Sequence, residues 1–320
     1  MLNVDRQTAE VRVARIAIVG VGAIGGTLAA LLQLAGGHEI TLCTRRPLRQ
    51  LTVTMPSGSV GVTARNVTVA EDAEPVEWVL VATKAYDSVG AAAWLPVLCG
   101  QGAPVAVVQN GVEHRERFAP YVEHHRLLPV VIDCPAERQS DSGVRMRGAA
   151  RLCVEDTRPG LEFGALFAGS PTNVESVADF TTVAWRKLCV NSAGALNALT
   201  CKPAGVLRDE AVGRLAVAMV AECVAVGRAE GAQLSDSLGE EILAHYRAGP
   251  PDAVNSLLAD RLAGRRMETD ARNGAVVRKG EKHGVPTPLN RMAVSLLDAL
   301  QPSILTPTPT GSTITDSRRR

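Results

Sequence analysis

Ala14-Arg15-Ile16-Ala17-Ile18-Val19 is a short, β-branched apolar run closed by Gly20. It has the pattern of a strand buried on both faces. From Ala23 to Ala35 the composition turns helical, and Gly36-Gly37 supplies a stop signal. Glu39 to Cys43 predicts a second strand, completing a βαβ unit of about 30 residues. The rhythm continues with strands expected at Asn66–Val69, Trp78–Ala82 and Val105–Val108, and one or two more within Leu128–Cys134. Val144–Arg147 and Arg151–Glu155 read as a β-hairpin flanking Gly148. Strands that alternate with helical stretches predict a parallel sheet with helices on its faces.

After about residue 175 the pattern changes. Phe180–Leu199, Ala211–Glu230, Ser237–Ala248, Ser256–Leu262, Glu268–His283 and Pro288–Leu300 all read as helices. Gly231, Gly249-Pro250-Pro251 and Gly284-Val285-Pro286 punctuate them. The expected organisation is a flexible tail over 1–12, an α/β domain over 13–178, an all-α domain over 179–301 and a disordered tail over 302–320.

Composition narrows the function classes. Aromatic residues are only 3% of the chain, so its cores must be built from Ala, Val and Leu. A net charge of +1 argues against a dedicated nucleic-acid binder. The basic pairs Arg45-Arg46 and Arg265-Arg266 are too short to track a phosphate backbone. Seven scattered cysteines without a C-x-x-C read as buried thiols in a reducing cytoplasm. No further Cys or His stands at zinc-ligand spacing beside His124-His125, so no metal is expected. Residues 1–12 lack the apolar segment of a secretory signal, and no apolar run is long enough to span a bilayer. A cytoplasmic protein without a membrane partner is expected.

Gly20-Val21-Gly22-Ala23-Ile24-Gly25 is a G-x-G-x-x-G set between a predicted strand and a predicted helix. The first glycine permits a tight turn, the second lets the backbone approach a pyrophosphate, and the third lets helix and strand pack closely. The helix N-terminus offers N–H groups and a positive dipole end to phosphates. Gly20, Gly22, Ala23, Ile24 and Gly25 are therefore candidate cofactor contacts, and the α/β domain reads as a Rossmann-type dinucleotide-binding domain. An NAD site usually carries Asp or Glu at the end of its second strand. Here that place reads Thr44-Arg45-Arg46. Arginines there suit the 2′-phosphate of NADP(H).

Four further places carry polar groups. Lys84 ends the predicted strand Trp78–Ala82, and Asn110-Gly111 ends Val105–Val108. Ligands of open α/β sheets bind beyond the carboxyl ends of strands. On the residues alone, Lys84 also reads as a solvated strand end and Asn110 as a turn residue. Lys187 and Asn191 stand four apart, on one face of a helix rich in apolar residues. A lysine held near a carbonyl can protonate its oxygen as hydride reaches the carbon. A surface lysine on an amphipathic helix fits the same pattern. Ser256 alone reads as a helix N-cap and Glu268 as a first-turn carboxylate.

The chain resembles the ketopantoate reductase family over roughly residues 14–300. The carriers are IVGVGAIGG at 18–26, VATKA at 81–85, QNGVE at 109–113, WRKLCVN at 185–191 and NSLLADRLAGRRMETD at 255–270. The resemblance implies that Lys187 is the general acid that protonates the keto oxygen. It makes Glu268 an active-site glutamate that helps place substrate and cofactor ribose. Asn110, Asn191 and Ser256 match substrate-binding positions, with Asn110 also approaching the nicotinamide, and Lys84 matches a cofactor-side lysine. One departure is visible. The family often places a second asparagine one helical turn after the first, where this chain has Ala195. Asn197 lies six residues on, about 600° of helical rotation, and so on another face unless Gly194 distorts the helix.

The expectation is NADPH-dependent reduction of a 2-oxo acid, 2-dehydropantoate first among them, to the 2-hydroxy acid. The partner would be that small molecule, with a homodimer left open. A related reductase of another ketone and a non-catalytic NADP(H) sensor are the rivals. An intact Lys187 and Glu268 speak against the sensor, which has no need of a proton donor.

Overall fold

Six parallel strands lie in the spatial order Arg65–Val67, Glu39–Cys43, Arg15–Val19, Trp78–Val81, Val105–Val107 and Leu127–Pro129. The computed structural model describes residues 13–100 and 102–302. The tail expected over 1–12, and all of the tail expected over 302–320 except Pro302, lie outside the described residues. Arg15–Val19 sits mid-sheet, with its successor on one side and Trp78–Val81 on the other. The winding therefore reverses beside the first strand, which opens a crevice at the carboxyl ends.

Successive residues of these strands point to opposite faces, and each face has its own core. Ile16, Ile18 and Leu80 join the helix Ala23–Ala35 through Leu28, Leu31 and Leu32. Ala17, Val19, Val79 and Val81 pack on the other face with Leu95, Leu98 and Phe118. The rings of Trp78 and Phe163, 5.7 Å apart, extend the first cluster.

Two small sheets flank this layer. One has the order Ala136–Arg138, Gly143–Met146, Leu51–Met55, Gly58–Val62. The other has the order Asn173–Val177, Arg151–Glu155, Val131–Asp133. The expected hairpin around Gly148 is thus corrected: its two strands belong to different sheets. Long-range packing decides this, since Val144 sits on the first helix at Gly26, where a Cβ would come within 2.9 Å of it. The strands Leu51–Met55 and Gly58–Val62, absent from the sequence expectation, pair antiparallel across a tight turn.

The second half is helical, with Glu210–Ala229 at its centre. Met219, Val220, Cys223 and Val226 are buried there against Trp185, Leu188, Leu238 and Leu297. Three expectations change. Phe180–Leu199 is two helices, Phe180–Ala193 and Ala195–Thr200, broken at Gly194. The carbonyl of Gly194 accepts from Asn255 Nδ2 at 3.0 Å, and a Cβ there would meet that same nitrogen at 2.9 Å. Ser256 is the first residue of its helix, not the cap; Asn255 caps it, accepting from Leu258 N–H at 2.9 Å. Glu268 precedes any helix: a wide turn at Asp270–Gly274 runs into Ala275–His283. The cysteines are not uniformly buried either. Cys43, Cys189 and Cys223 are, whereas Cys201 is exposed.

Leu80 is fully buried at the centre of the parallel sheet. Leu80→Ala is expected to lower the unfolding free energy by about 2–5 kcal/mol, measured from the urea midpoint. A loss below about 0.5 kcal/mol, the range of ordinary surface substitutions, would contradict this account of the core.

Candidate functional site

The glycine turn is built as its sequence requires. Gly20 has φ 93°, and a Cβ there would come within 2.7 Å of the Thr83 backbone nitrogen. The turn therefore nests against the end of the neighbouring strand. A Cβ on Gly25 would press on the carbonyl of Gly20, whereas one on Gly22 would meet nothing within 4 Å. Gly22 thus faces open space at the start of the helix Ala23–Ala35. That helix has no side-chain cap and no acidic residue in its first turn. Its first N–H groups lack intrahelical acceptors, so the turn presents donors and a positive dipole end to an anion.

Beyond the second strand, Thr44 Oγ1 donates to the Arg46 carbonyl at 2.7 Å, and Asn66 Nδ2 donates to Thr44 Oγ1 at 2.8 Å. These bonds shape the turn and leave both arginine side chains exposed. Among the described residues Arg45 reaches a distant partner, Asp87 at 3.8 Å, and is 89% exposed.

At the carboxyl end of Trp78–Val81 the two halves of the chain meet. Lys84 Nζ lies 2.8 Å from Asp260 Oδ2 and 3.0 Å from Glu268 Oε2. The Ala85 N–H donates to Glu268 Oε1 at 3.0 Å, and Asn110 Nδ2 donates to Glu268 Oε2 at 3.0 Å. Asp260 also accepts from Arg265 Nε at 3.0 Å. Glu268 is 4% exposed, yet its carboxyl is held below its usual 4.5. Burial alone would raise it; the Lys84 charge, the Ala85 N–H and the Asn110 amide together outweigh that. For Lys84, burial would lower the ammonium, and Glu268 and Asp260 reverse the shift upward.

The opposite wall comes from Phe180–Ala193. Lys187 Nζ pairs with Asp133 Oδ1 at 2.8 Å. Lys187 and Asn191 line one small cavity with Gln109, Asn110, Gly111, Val131, Ile132 and Leu188. Asn191 Nδ2 donates weakly to Asn110 Oδ1 at 3.4 Å. Gly111 has φ 107°, and a Cβ on it would come within 2.6 Å of the Ala271 carbonyl. The Asn-Gly turn is therefore what lets the sheet approach the wide turn Asp270–Gly274. Ser256 is exposed, and its Oγ accepts from Arg272 Nη1 at 3.5 Å.

Lys84, Asn110 and Glu268 thus share one bonded cluster; Lys187 and Asn191 join it through the cavity beside Asn110, and Ser256 joins through Arg272. Arg45 and Arg46 stand apart, beyond the second strand. Ala195 is fully buried, and Asn197 is 1% exposed. Asn197 Oδ1 accepts from Asn255 Nδ2 at 3.0 Å. Gly194 does distort the helix, but Asn197 is spent on Asn255. Sequence reasoning missed Asp133, Asp260 and Arg272. Asp260, a charge inside the apolar run Leu257-Leu258-Ala259-Asp260, carried the readable signal; Asp133 and Arg272 carried none.

An acid depressed in the folded state stabilises the fold above its unfolded value and loses that contribution as pH falls through the folded one. Glu268→Gln should therefore destabilise the protein near neutral pH by about 1–3 kcal/mol, since the charged hydrogen bonds to Glu268 are lost while Lys84 keeps Asp260. The gap in Tm between native protein and variant should hold above the usual carboxylate value of 4.5 and narrow as pH falls below it. Melting curves on both sides of that value check it, and a gap indifferent to pH would contradict the ionised Glu268.

Comparison with known proteins agrees with this architecture. The family model described as ketopantoate reductase PanE/ApbA matches residues 16–158, and its C-terminal counterpart matches residues 179–301. A 2-dehydropantoate 2-reductase of Caulobacter vibrioides is 48% identical over 284 residues, covering 89% of this chain and 98% of its own. One from Mycobacterium tuberculosis is 39% identical over 286 residues, covering 89% and 97%. The crystal structure of the 2-dehydropantoate 2-reductase from Geobacter metallireducens superposes with a TM-score of 0.84 at 25% identity, covering 89% of this chain and 99% of that one.

Proposed function

The chain belongs to the ketopantoate reductase family, and from that premise we propose that it reduces a 2-oxo acid with NADPH, converting 2-dehydropantoate to pantoate. The observation that carries this reading is the common cavity of Lys187, Asn191 and Asn110 at the carboxyl end of a parallel strand. It brings an ammonium and two amides to the place where a ligand of this fold is expected.

The glycine turn fits a dinucleotide. Gly22 is open where a pyrophosphate would lie, and the N–H groups of Ala23, Ile24 and Gly25 follow it. Arg45 and Arg46 would take the 2′-phosphate, and Lys84, Asn110 and Glu268 border the nicotinamide end. When bound, the nicotinamide supplies a hydride to the keto carbon. The protein does the rest. Asn110, Asn191 and Ser256 hold the substrate. Lys187 Nζ protonates the keto oxygen as negative charge builds there, and so stabilises the transition state more than the ground state. Asp133 steadies that ammonium at 2.8 Å. Glu268 keeps Lys84 and Asn110 in place.

An NADPH-oxidation assay over a panel of 2-oxo acids including 2-dehydropantoate tests the reading. Lys187→Ala should reduce turnover by about 10²–10⁴-fold, with NADPH affinity little changed in a fluorescence titration. Near-native turnover in that variant would defeat the assigned mechanism. A native protein that binds NADPH tightly and reduces no 2-oxo acid would move the sensor to first place.

Cofactor choice is a separate prediction. Replacing Arg45 and Arg46 together with Ala should remove a preference for NADPH over NADH of about 1.5–3 kcal/mol. Equal dissociation constants for the two cofactors in the native protein would refute the role given to this turn.

A further inference from the structure

Arg272 lies in the wide turn Asp270–Gly274 and is 2% exposed. Its Nη2 donates to the Asn191 carbonyl at 3.0 Å and to Asn191 Oδ1 at 3.1 Å. Its Nη1 reaches Ser256 Oγ at 3.5 Å, and its Nε is buried without a hydrogen-bond partner. The two nearby carboxylates are already engaged. Glu268 is held by Lys84, Ala85 and Asn110, and Asp260 by Lys84 and Arg265. Among the described residues no carboxylate lies within ion-pair distance of Arg272. A buried cation without a counter-charge is costly. Gly194 keeps room for it, since a Cβ there would stand 3.2 Å from Nη2.

A guanidinium carries donors only. Asn191 must therefore turn its Oδ1, and Ser256 its oxygen lone pair, towards Arg272. One Asn191 amide hydrogen goes weakly to Asn110 Oδ1 at 3.4 Å; the other, and the Ser256 hydroxyl hydrogen, are left for the cleft. Two neutral side chains that could each have offered an acceptor are thereby set as donors, in front of a positive charge that no carboxylate contacts directly. Such a surface complements a carboxylate and rejects a neutral amide or ester.

We propose that Arg272 is the positioning residue by which the site selects an anionic 2-oxo carboxylate, acting through Asn191 and Ser256. The identity of that carboxylate as part of the reduced substrate rests on the function proposed above; the selection of charge does not.

The test uses two probes of nearly equal shape, oxamate (a carboxylate) and oxamide (its neutral amide), titrated into the NADPH-bound full chain. Native protein should bind oxamate about tenfold to a hundredfold more tightly than oxamide. Arg272→Met should bring that ratio close to one and leave the NADPH titration unchanged. Arg272→Lys should recover part of the ratio, because it restores the charge without the fork. If the native protein binds both probes equally, the proposal is overturned, and this arm needs no variant to fold. If Arg272→Met weakens both probes alike, Arg272 is structural and the proposal again falls. Selective oxamate binding in a protein that reduces no 2-oxo acid would uphold the proposal and count against the hydride-transfer reading alone.

Discussion

The half-buried contact between Lys84 and Glu268 is the constraint on which the rest of the cleft depends. The two residues are 184 positions apart, and the pair joins the end of a parallel strand to the loop before the wide helical turn. Glu268 is almost wholly buried, and a carboxylate there is tolerated because an ammonium, a backbone N–H and an amide all point at it. Asp260 adds a second acceptor for the same ammonium. The α/β half and the helical half are therefore held in one relative position by charge satisfaction as well as by apolar packing.

That docking explains why so few residues can line the cavity. Asn110 is tied to Glu268, so its remaining oxygen faces Asn191. Gly111 brings the strand end against Ala271. The site is a seam between the parallel sheet and the helical half.

Much of this was legible before any coordinates. The βαβ opening, the switch to helices and the glycine turn depend on local pattern, with short apolar runs for buried strands and Gly at a turn with positive φ. Lys187 and Asn191 were readable because one unbroken helical segment contains both. The failures share a different cause. The strands on either side of Gly148 have the alternation of a hairpin, but Val144 is drawn to Gly26 through contacts distant in sequence. Ser256 has the chemistry of a cap, but Asn255 beside it has the same chemistry and takes the position. Arg272 looks like one more charge in a basic stretch, and only the fold shows it buried and unpaired.

Gly194 has a consequence for how such a site can diverge. By ending one helix and beginning another, it resets the angular phase of the chain. Residues before the break answer to the cleft, as Lys187 and Asn191 do. Residues after it answer to the Asn255 loop, as Asn197 does. A substitution on one side need not disturb the other, so the cleft-lining segment and the segment that meets the Asn255 loop form two separately adjustable parts of one peptide. Filling the glycine would press on both sides at once, on the Asn255 amide and on Arg272, and remove that independence.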